Sequence, residues 1–367
     1  MLQYEHMKIF YDARYILVEN RFDGVSRYSH ELARAMSRLP DVEMTWIIHD
    51  IRQLDKLPEG NHILVNDPSN ILAEMTLPHK LNKAGAEIVY SPFFLMGARG
   101  KKYKLVLTIH DMIYFKHRTP PQWYPWYVRI GWRAFHLTYW PMRWQLNGAN
   151  HVATVSNTAR DELLTAHATK REITTVPNAV SSLFTAPDDD HSQKNGVVYI
   201  GAFTPYKNVE CLIDAVALVP DVTLHLCGKL PPSRRPSIEQ RIKDRGIQDR
   251  TILYDGASDE EYKKALADAR CAISASRIEG FGLPLIEAQR AGVPYIAADT
   301  PIFREVGEDS VLYFDPNSPE QAAACIEKLA DKNLNRTYAE KGRENAARYT
   351  WKASAETAMQ IIRKLIQ

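Results

Sequence analysis

Apolar positions along this chain follow two periods in turn. Short apolar runs begin with Lys8–Ala13 and continue at Met44–His49, His62–Asn66, Glu87–Ser91, Lys104–His110 and His151–Ser156. Such runs read as strands of a parallel sheet, buried on both faces. Between them the apolar residues recur at helical spacing. Gly24 marks a turn, and from Val25 the positions Tyr28, Leu32, Ala35, Met36 and Leu39 share one helix face. Strand, glycine turn and helix form the first βα unit of a doubly wound domain.

EITTVPNAV supplies a further strand ending at Pro177-Asn178, and SSLFTAPDDDHSQKNG then breaks the pattern with polar, turn-forming residues. The domain boundary is expected here, near residues 180–195. A second series follows, with strands at Gly196–Gly201, Val222–Cys227, Thr251–Tyr254, Cys271–Ala275, Pro294–Ala298 and Val311–Phe314. Helices are expected at Val209–Val219, Ser237–Arg245, Pro319–Asp331 and Arg336–Tyr349. Another starts at Ser258, where Glu261 completes a capping box. Over Trp351–Ile366 the residues Ala355, Ala358, Met359, Ile362 and Ile366 line one face of an amphipathic helix. The alternation predicts an α/β protein of two doubly wound, Rossmann-like domains, residues 1–180 and 181–350. A cleft between two such domains is a natural ligand site.

The 45% apolar and 25% charged content of the 367 residues is that of a globular protein, and a net charge of +2 gives no overall pull towards nucleic acid. Cys211, Cys227, Cys271 and Cys325 form no CxxC pair and sit in apolar runs, so they read as small buried hydrophobes. No apolar run has transmembrane length and MLQYEHMKIF lacks a signal-peptide core, so a cytoplasmic protein is expected, with residues 1–6 a dispensable leader.

Candidate chemistry concentrates in Glu279-Gly-Phe-Gly-Leu-Pro-Leu-Ile-Glu287. Two carboxylates bracket a glycine turn that opens a helix. The amides of Phe281, Gly282 and Leu283 lie near the positive end of that helix, where anions bind. Such a piece suits a phosphate held between two hydroxyl-binding acids; a plain strand–turn–helix connector is the alternative. Lys207 follows a strand end and suits a diphosphate, or is a solvated loop lysine. Asp188-Asp189-Asp190 lies in the linker and does not read as a metal site. His110 and Asp111 close an apolar strand. They suit a ligand contact, a satisfied loop histidine, or a metal-dependent phosphohydrolase, which His117, His136 and His151 do not complete.

Residues 112–160 contain no acid, yet hold Lys116, Arg118, Arg129, Arg133, Arg143 and Arg160 with Trp123, Trp126, Trp132, Trp140 and Trp144. This stretch is expected to be helical after Pro125, with a break near Pro141. Aromatic rings with arginines suit an anionic membrane surface. A Trp-rich core helix and a single-stranded nucleic-acid platform are the alternatives.

Taken together, the motifs resemble retaining glycosyltransferases of the GT-B fold, family 4. The resemblance runs from Lys8 to Trp351. Its centre is the E-x7-E pair Glu279 and Glu287, supported by DGVSRYSHELARAM, TIHDMIY, TVSNTARDEL, TVPNAV, YIGAFTPYKN, AGVPYIAADTPIFREVG, LYFDP and YTWKASA. The resemblance implies that the C-terminal domain binds the sugar nucleotide and the N-terminal domain faces the acceptor. It also implies that the terminal helix, residues 351–367, crosses back to the N-terminal domain.

By the same resemblance, Glu279 contacts donor-sugar hydroxyls and Glu287 the ribose, while Phe281, Gly282 and Leu283 present amides. Lys207 pairs with the diphosphate, His110 lies beside the reacting sugar, and Gly24 lets a loop approach the phosphates. Tyr206 stands where many relatives have an arginine, making Arg27 and Lys229 candidates for the missing charge. Ser26 replaces a second glycine of the first loop.

No metal is expected, and no nucleic-acid partner. A GDP-sugar, carrying mannose or rhamnose, is the first expectation for the donor, with a UDP-sugar as the alternative. The acceptor is expected to be a saccharide, free or lipid-diphosphate-linked, in bacterial surface polysaccharide synthesis. Trp123, Trp126, Arg129, Trp132 and Arg133 would form the membrane or acceptor face on the inner leaflet. A sugar-nucleotide epimerase or a non-catalytic binder on the same scaffold is the remaining alternative; turnover without an acceptor would mark an epimerase.

Overall fold

A computed structural model describes residues 7–18, 24–120, 125–181, 184 and 190–367. The chain divides into two compact units, residues 1–178 with 350–367, and residues 179–349.

Unit 1 is built on a parallel sheet of strands β1 (Met7–Asp12), β2 (Val42–Ile48), β3 (Asn61–Leu64), β4 (Ile88–Ser91), β5 (Lys104–Ile109), β6 (His151–Thr154) and β7 (Ile173–Thr175). Their spatial order is β3-β2-β1-β4-β5-β6-β7, so the direction of winding reverses between β1 and β4. Its helices are α1 (Gly24–Met36), α2 (Ile71–Glu74), α3 (Leu77–Lys83), α4 (Ile113–Lys116), α5 (Trp126–Leu137), α6 (Trp140–Gly148) and α7 (Asn157–Thr165). One core cluster joins Phe10, Ile47, Val89 and Leu107 to Leu77 and Leu81 of α3. Another joins Ile109 and Val152 to Phe115, Met142, Leu146 and Leu163.

The terminal helix Trp351–Ile366 belongs to unit 1 and packs on α1. Ala355, Ala358, Met359 and Ile362 are buried, but Ile366 is exposed, so the expected apolar face ends one turn early. The Ser354 hydroxyl donates to the Pro177 carbonyl at 2.8 Å, and the Trp351 ring meets Tyr28 edge-on at 5.8 Å.

Unit 2 holds β8 (Gly196–Tyr199), β9 (Thr223–Leu226), β10 (Thr251–Leu253), β11 (Ala269–Ser274), β12 (Tyr295–Ala298) and β13 (Val311–Phe314), in the parallel order β10-β9-β8-β11-β12-β13. Its helices are α8 (Val209–Leu218), α9 (Arg235–Asp244), α10 (Asp259–Ala267), α11 (Leu283–Arg290), α12 (Pro301–Gly307), α13 (Pro319–Lys328) and α14 (Lys332–Ala347). Here the winding reverses between β8 and β11, whose residues Val197 and Cys271 are paired. The core packs Val197, Leu224, Ile273 and Ile296 against Leu212 and Val216 of α8 and Ile326 of α13. The Ser258–Glu261 capping box is formed at the start of α10. All four cysteines are buried free thiols, and burial raises the Cys227 and Cys271 thiols to about 12.

The Trp-rich stretch is helical after Pro125 and breaks near Pro141 as expected, at Thr138 and Tyr139, with Pro141 in the first turn of α6, where no amide is needed. Two local expectations change. Gly24 is the first residue of α1 and not a turn before it. Helix α12 was not expected: its start, Thr300-Pro301, lacks a long apolar repeat but places proline at the first helical position.

Candidate active site

Two loops at the carboxyl edge of the unit 2 sheet build the candidate donor site. The first follows β8 and turns once through Pro205–Lys207 before Asn208, at φ 54°, starts α8. The second follows β11 and ends at α11. These strands flank the winding reversal, where open α/β sheets leave a crevice for ligands. The Arg277 amide donates to the Tyr206 carbonyl at 2.8 Å, holding the two loops together. Across this link Lys207 Nζ is ion-paired with Glu279 Oε1. Both side chains are largely buried, 16% and 14% exposed.

Gly282 begins α11 at φ +87°, a left-handed conformation that glycine adopts freely. A Cβ there would lie 2.9 Å from Phe303 Cε1. Phe281 is buried, edge-on to Tyr349 at 5.4 Å. No side chain caps α11, so its positive end is left to backbone N–H groups around Gly282 and Leu283. Glu287 lies one turn inside α11 and is buried.

Tyr295 on β12 was not singled out in the sequence. Burial and then the charge of Glu279 raise its hydroxyl pKa, and Glu287 adds to the effect. A neutral phenol thus lies within the field of both carboxylates. In the sequence it reads only as one aromatic of a buried strand. Lys229, beyond β9, is exposed.

In unit 1, His110 follows β5. Its Nε2 lies 2.8 Å from the Pro92 carbonyl, which can only accept, so Nε2 carries a proton. Tyr28 of α1 meets the His110 ring edge-on at 4.8 Å. Gly24 is exposed and a Cβ on it would meet nothing; Arg27, one turn on, is half-buried.

At the β1/β4 reversal lies a charged cluster that sequence reasoning missed. Arg14 donates to Asp12 at 2.7 and 3.0 Å and pairs with Glu74. Ser91 Oγ donates to Asp12 at 3.1 Å, and the Gly97 amide to Glu74 at 3.2 Å. Burial opposes the Arg14 charge, but Asp12 and Glu74 outweigh it and raise its pKa. Asp12 at a strand end was the available signal. Glu74, distant in sequence, carried none.

Helix α5 buries only His136, whose ring stacks on Trp132 at 4.0 Å. Trp126, Trp140 and Trp144 are 72%, 70% and 65% exposed, so a Trp-rich core helix is not what forms here. Arg133 is exposed and Arg129 half-buried. Trp123 lies outside the described residues. Among the described residues no group of three or more His, Cys, Asp or Glu is placed to hold a metal ion, and no helix is long and apolar enough to cross a membrane.

Two doubly wound units, one with an anion-suited helix end between two carboxylates, define the GT-B class of glycosyltransferase. Residues 22–182 match the family model described as Glycosyltransferase Family 4, and residues 187–348 match Glycosyl transferases group 1. The chain belongs to the family 4 GT-B glycosyltransferases and is related to bacterial mannosyltransferases.

The O-antigen chain mannosyltransferase B of Escherichia coli is 25% identical over 362 residues, 89% of this chain and 92% of that protein. Sucrose-phosphate synthase from Thermosynechococcus elongatus superposes with a TM-score of 0.76 at 19% identity, covering 98% of this chain and 99% of its own. Anabaena Alr3699/HepE, solved with UDP and glucose, gives 0.75 at 17% identity, covering 98% and 100%; it has also been solved with UDP-glucose. These nucleotide complexes overturn the expectation of a GDP-linked donor. No side-chain motif in the sequence specifies the base.

Proposed function

We propose that this protein transfers a sugar from a UDP-linked donor to a saccharide acceptor carried on a lipid diphosphate at an anionic membrane surface. The observation that carries the reading is the Lys207–Glu279 pair beside the uncapped end of α11. Charge develops on phosphate oxygens as UDP leaves. Lys207 and the amides from Phe281 to Leu283 supply the stabilisation, which is strong in a site shielded from water. Glu279 takes donor-sugar hydroxyls and Glu287 the ribose hydroxyls, with the neutral Tyr295 hydroxyl in the field of both. Lys229 and Arg27 are further candidates for phosphate charge. His110 is assigned to the reacting sugar and Gly24 to the phosphate approach.

The test is a thermal-shift series with UDP, GDP, dTDP and ADP. A nucleotide that binds the native state raises stability by RT ln(1 + [L]/Kd). UDP alone is expected to raise the melting temperature; a response to GDP without one to UDP overturns the donor assignment.

A further inference from the structure

We propose that helix α5 docks unit 1 on an anionic lipid surface, lying in the plane of the headgroups. The proposal deepens the reading above and rests on it only for the purpose of docking.

A surface helix normally turns its apolar stripe inward and its charges outward. Helix α5 instead turns apolar residues outward beside the exposed Arg133. Its inward side is held by His136, packed on Trp132, Phe115 at 4.8 Å and Phe135 at 5.0 Å. At 3.6 residues per turn, Trp126, Ile130 and Leu137 fall within about 40° of one another on the outward side. All three are more than half exposed, as is Tyr127 on the flank. Trp140 and Trp144, one turn apart on α6, add two exposed indoles, and Trp144 separates shallow clefts of about 460 and 350 Å³.

Charge selects the occupant. Within residues 112–160 Lys116 is neutralised by Glu162 and Arg160 meets Asp161. Arg143 donates to the carbonyls of His167 and Ala166. Arg129 and Arg133 of α5 have no carboxylate partner among the described residues, and Arg129 Nε is buried without an acceptor. Exposed indoles and aliphatic residues beside unneutralised guanidinium groups match the boundary between acyl chains and anionic headgroups. A saccharide would engage the indoles but leave Ile130 and Leu137 in water.

The experiment is co-sedimentation of the full chain with phosphatidylcholine vesicles, with and without phosphatidylglycerol. The wild type is expected to pellet with the anionic vesicles and much less with the neutral ones. The pair Trp126→Ser with Ile130→Ser should weaken binding about tenfold or more, and Arg133→Gln about fivefold. Stabilisation by UDP, measured on the same variants, should be unchanged; this shows that they are folded and separates a failure of docking from a failure of the nucleotide reading. Wild-type binding to neither vesicle, or substitutions without effect, overturns the proposal. So does loss of a concentration-dependent dimer in the variants without loss of lipid binding, which would make this face a seam between copies.

Discussion

Lys207 and Glu279, contributed by loops after adjacent strands, form an ion pair. The sequence assigned them separate tasks, one on phosphate and one on sugar. A phosphate meeting Lys207, as proposed, would find Glu279 as a competitor for its charge. Glu279→Gln should therefore leave UDP affinity unchanged or up to about tenfold tighter, while cutting kcat about a hundredfold as transition-state contacts are lost. Calorimetric titration and initial rates check this; weaker UDP binding would contradict the competition.

Glu287 should behave differently. It is buried on α11, and its proposed partners are ribose hydroxyls. Glu287→Ala should cost about 1.5–3 kcal/mol of UDP binding, the range for hydrogen bonds to a charged group. Titration with UDP alone measures it; normal affinity with impaired turnover would move Glu287 away from the ribose.

Two glycines separate structural from ligand demands. Gly282→Ala introduces a Cβ at φ +87° against Phe303, and should lower stability by about 1–3 kcal/mol. Gly24→Ala meets open space at the first residue of α1 and should leave stability equal or higher by up to about 1 kcal/mol. If Gly24 admits phosphate, kcat/KM should still fall. Denaturant midpoints and rates on both variants distinguish the two cases.

The Arg14 cluster predicts a stability loss that further substitutions restore. Arg14→Met leaves Asp12 buried without its cation and should cost about 3–5 kcal/mol. Adding Asp12→Leu and Glu74→Leu should recover much of this, since an apolar replacement of a buried ionic group is often neutral. Urea unfolding of the single and triple variants decides it.

Histidine burial gives the stability a pH dependence. In His30, burial and then Arg34 lower the pKa to about 4. The unfolded chain binds a proton below about pH 6.5 while the folded chain does not, so stability falls as pH drops from about 6.5 towards 4. His136, His151 and His225 are lowered by burial in the same direction. Unfolding midpoints across this range should show the decline, and His30→Gln should flatten it.

The central strands were legible because they are buried on both faces, which makes them nearly continuous apolar runs. Trp351–Ile366 was legible to its ends because Thr350 caps it and its apolar repeat is regular. The donor loops were legible as motifs, but the Lys207–Glu279 pair was not, since it depends on β8 and β11 lying side by side. Tyr295 and the Arg14 cluster escaped for the same reason: their chemistry comes from neighbours distant in sequence. The nucleotide base escaped because no side-chain motif in the sequence specifies it. On α5 the composition indicated aromatic and basic residues, but not which side they face.

The Ser354–Pro177 hydrogen bond joins segments on either side of unit 2. During synthesis, all residues of unit 2 exist before the helix that covers α1 has been made. Unit 2 can then fold while unit 1 still lacks the helix that packs on α1, with Tyr28 awaiting the Trp351 ring. The unit that begins first in the chain is thus completed last, and a ribosome stalled just short of Trp351 would hold a finished unit 2 with an unfinished unit 1.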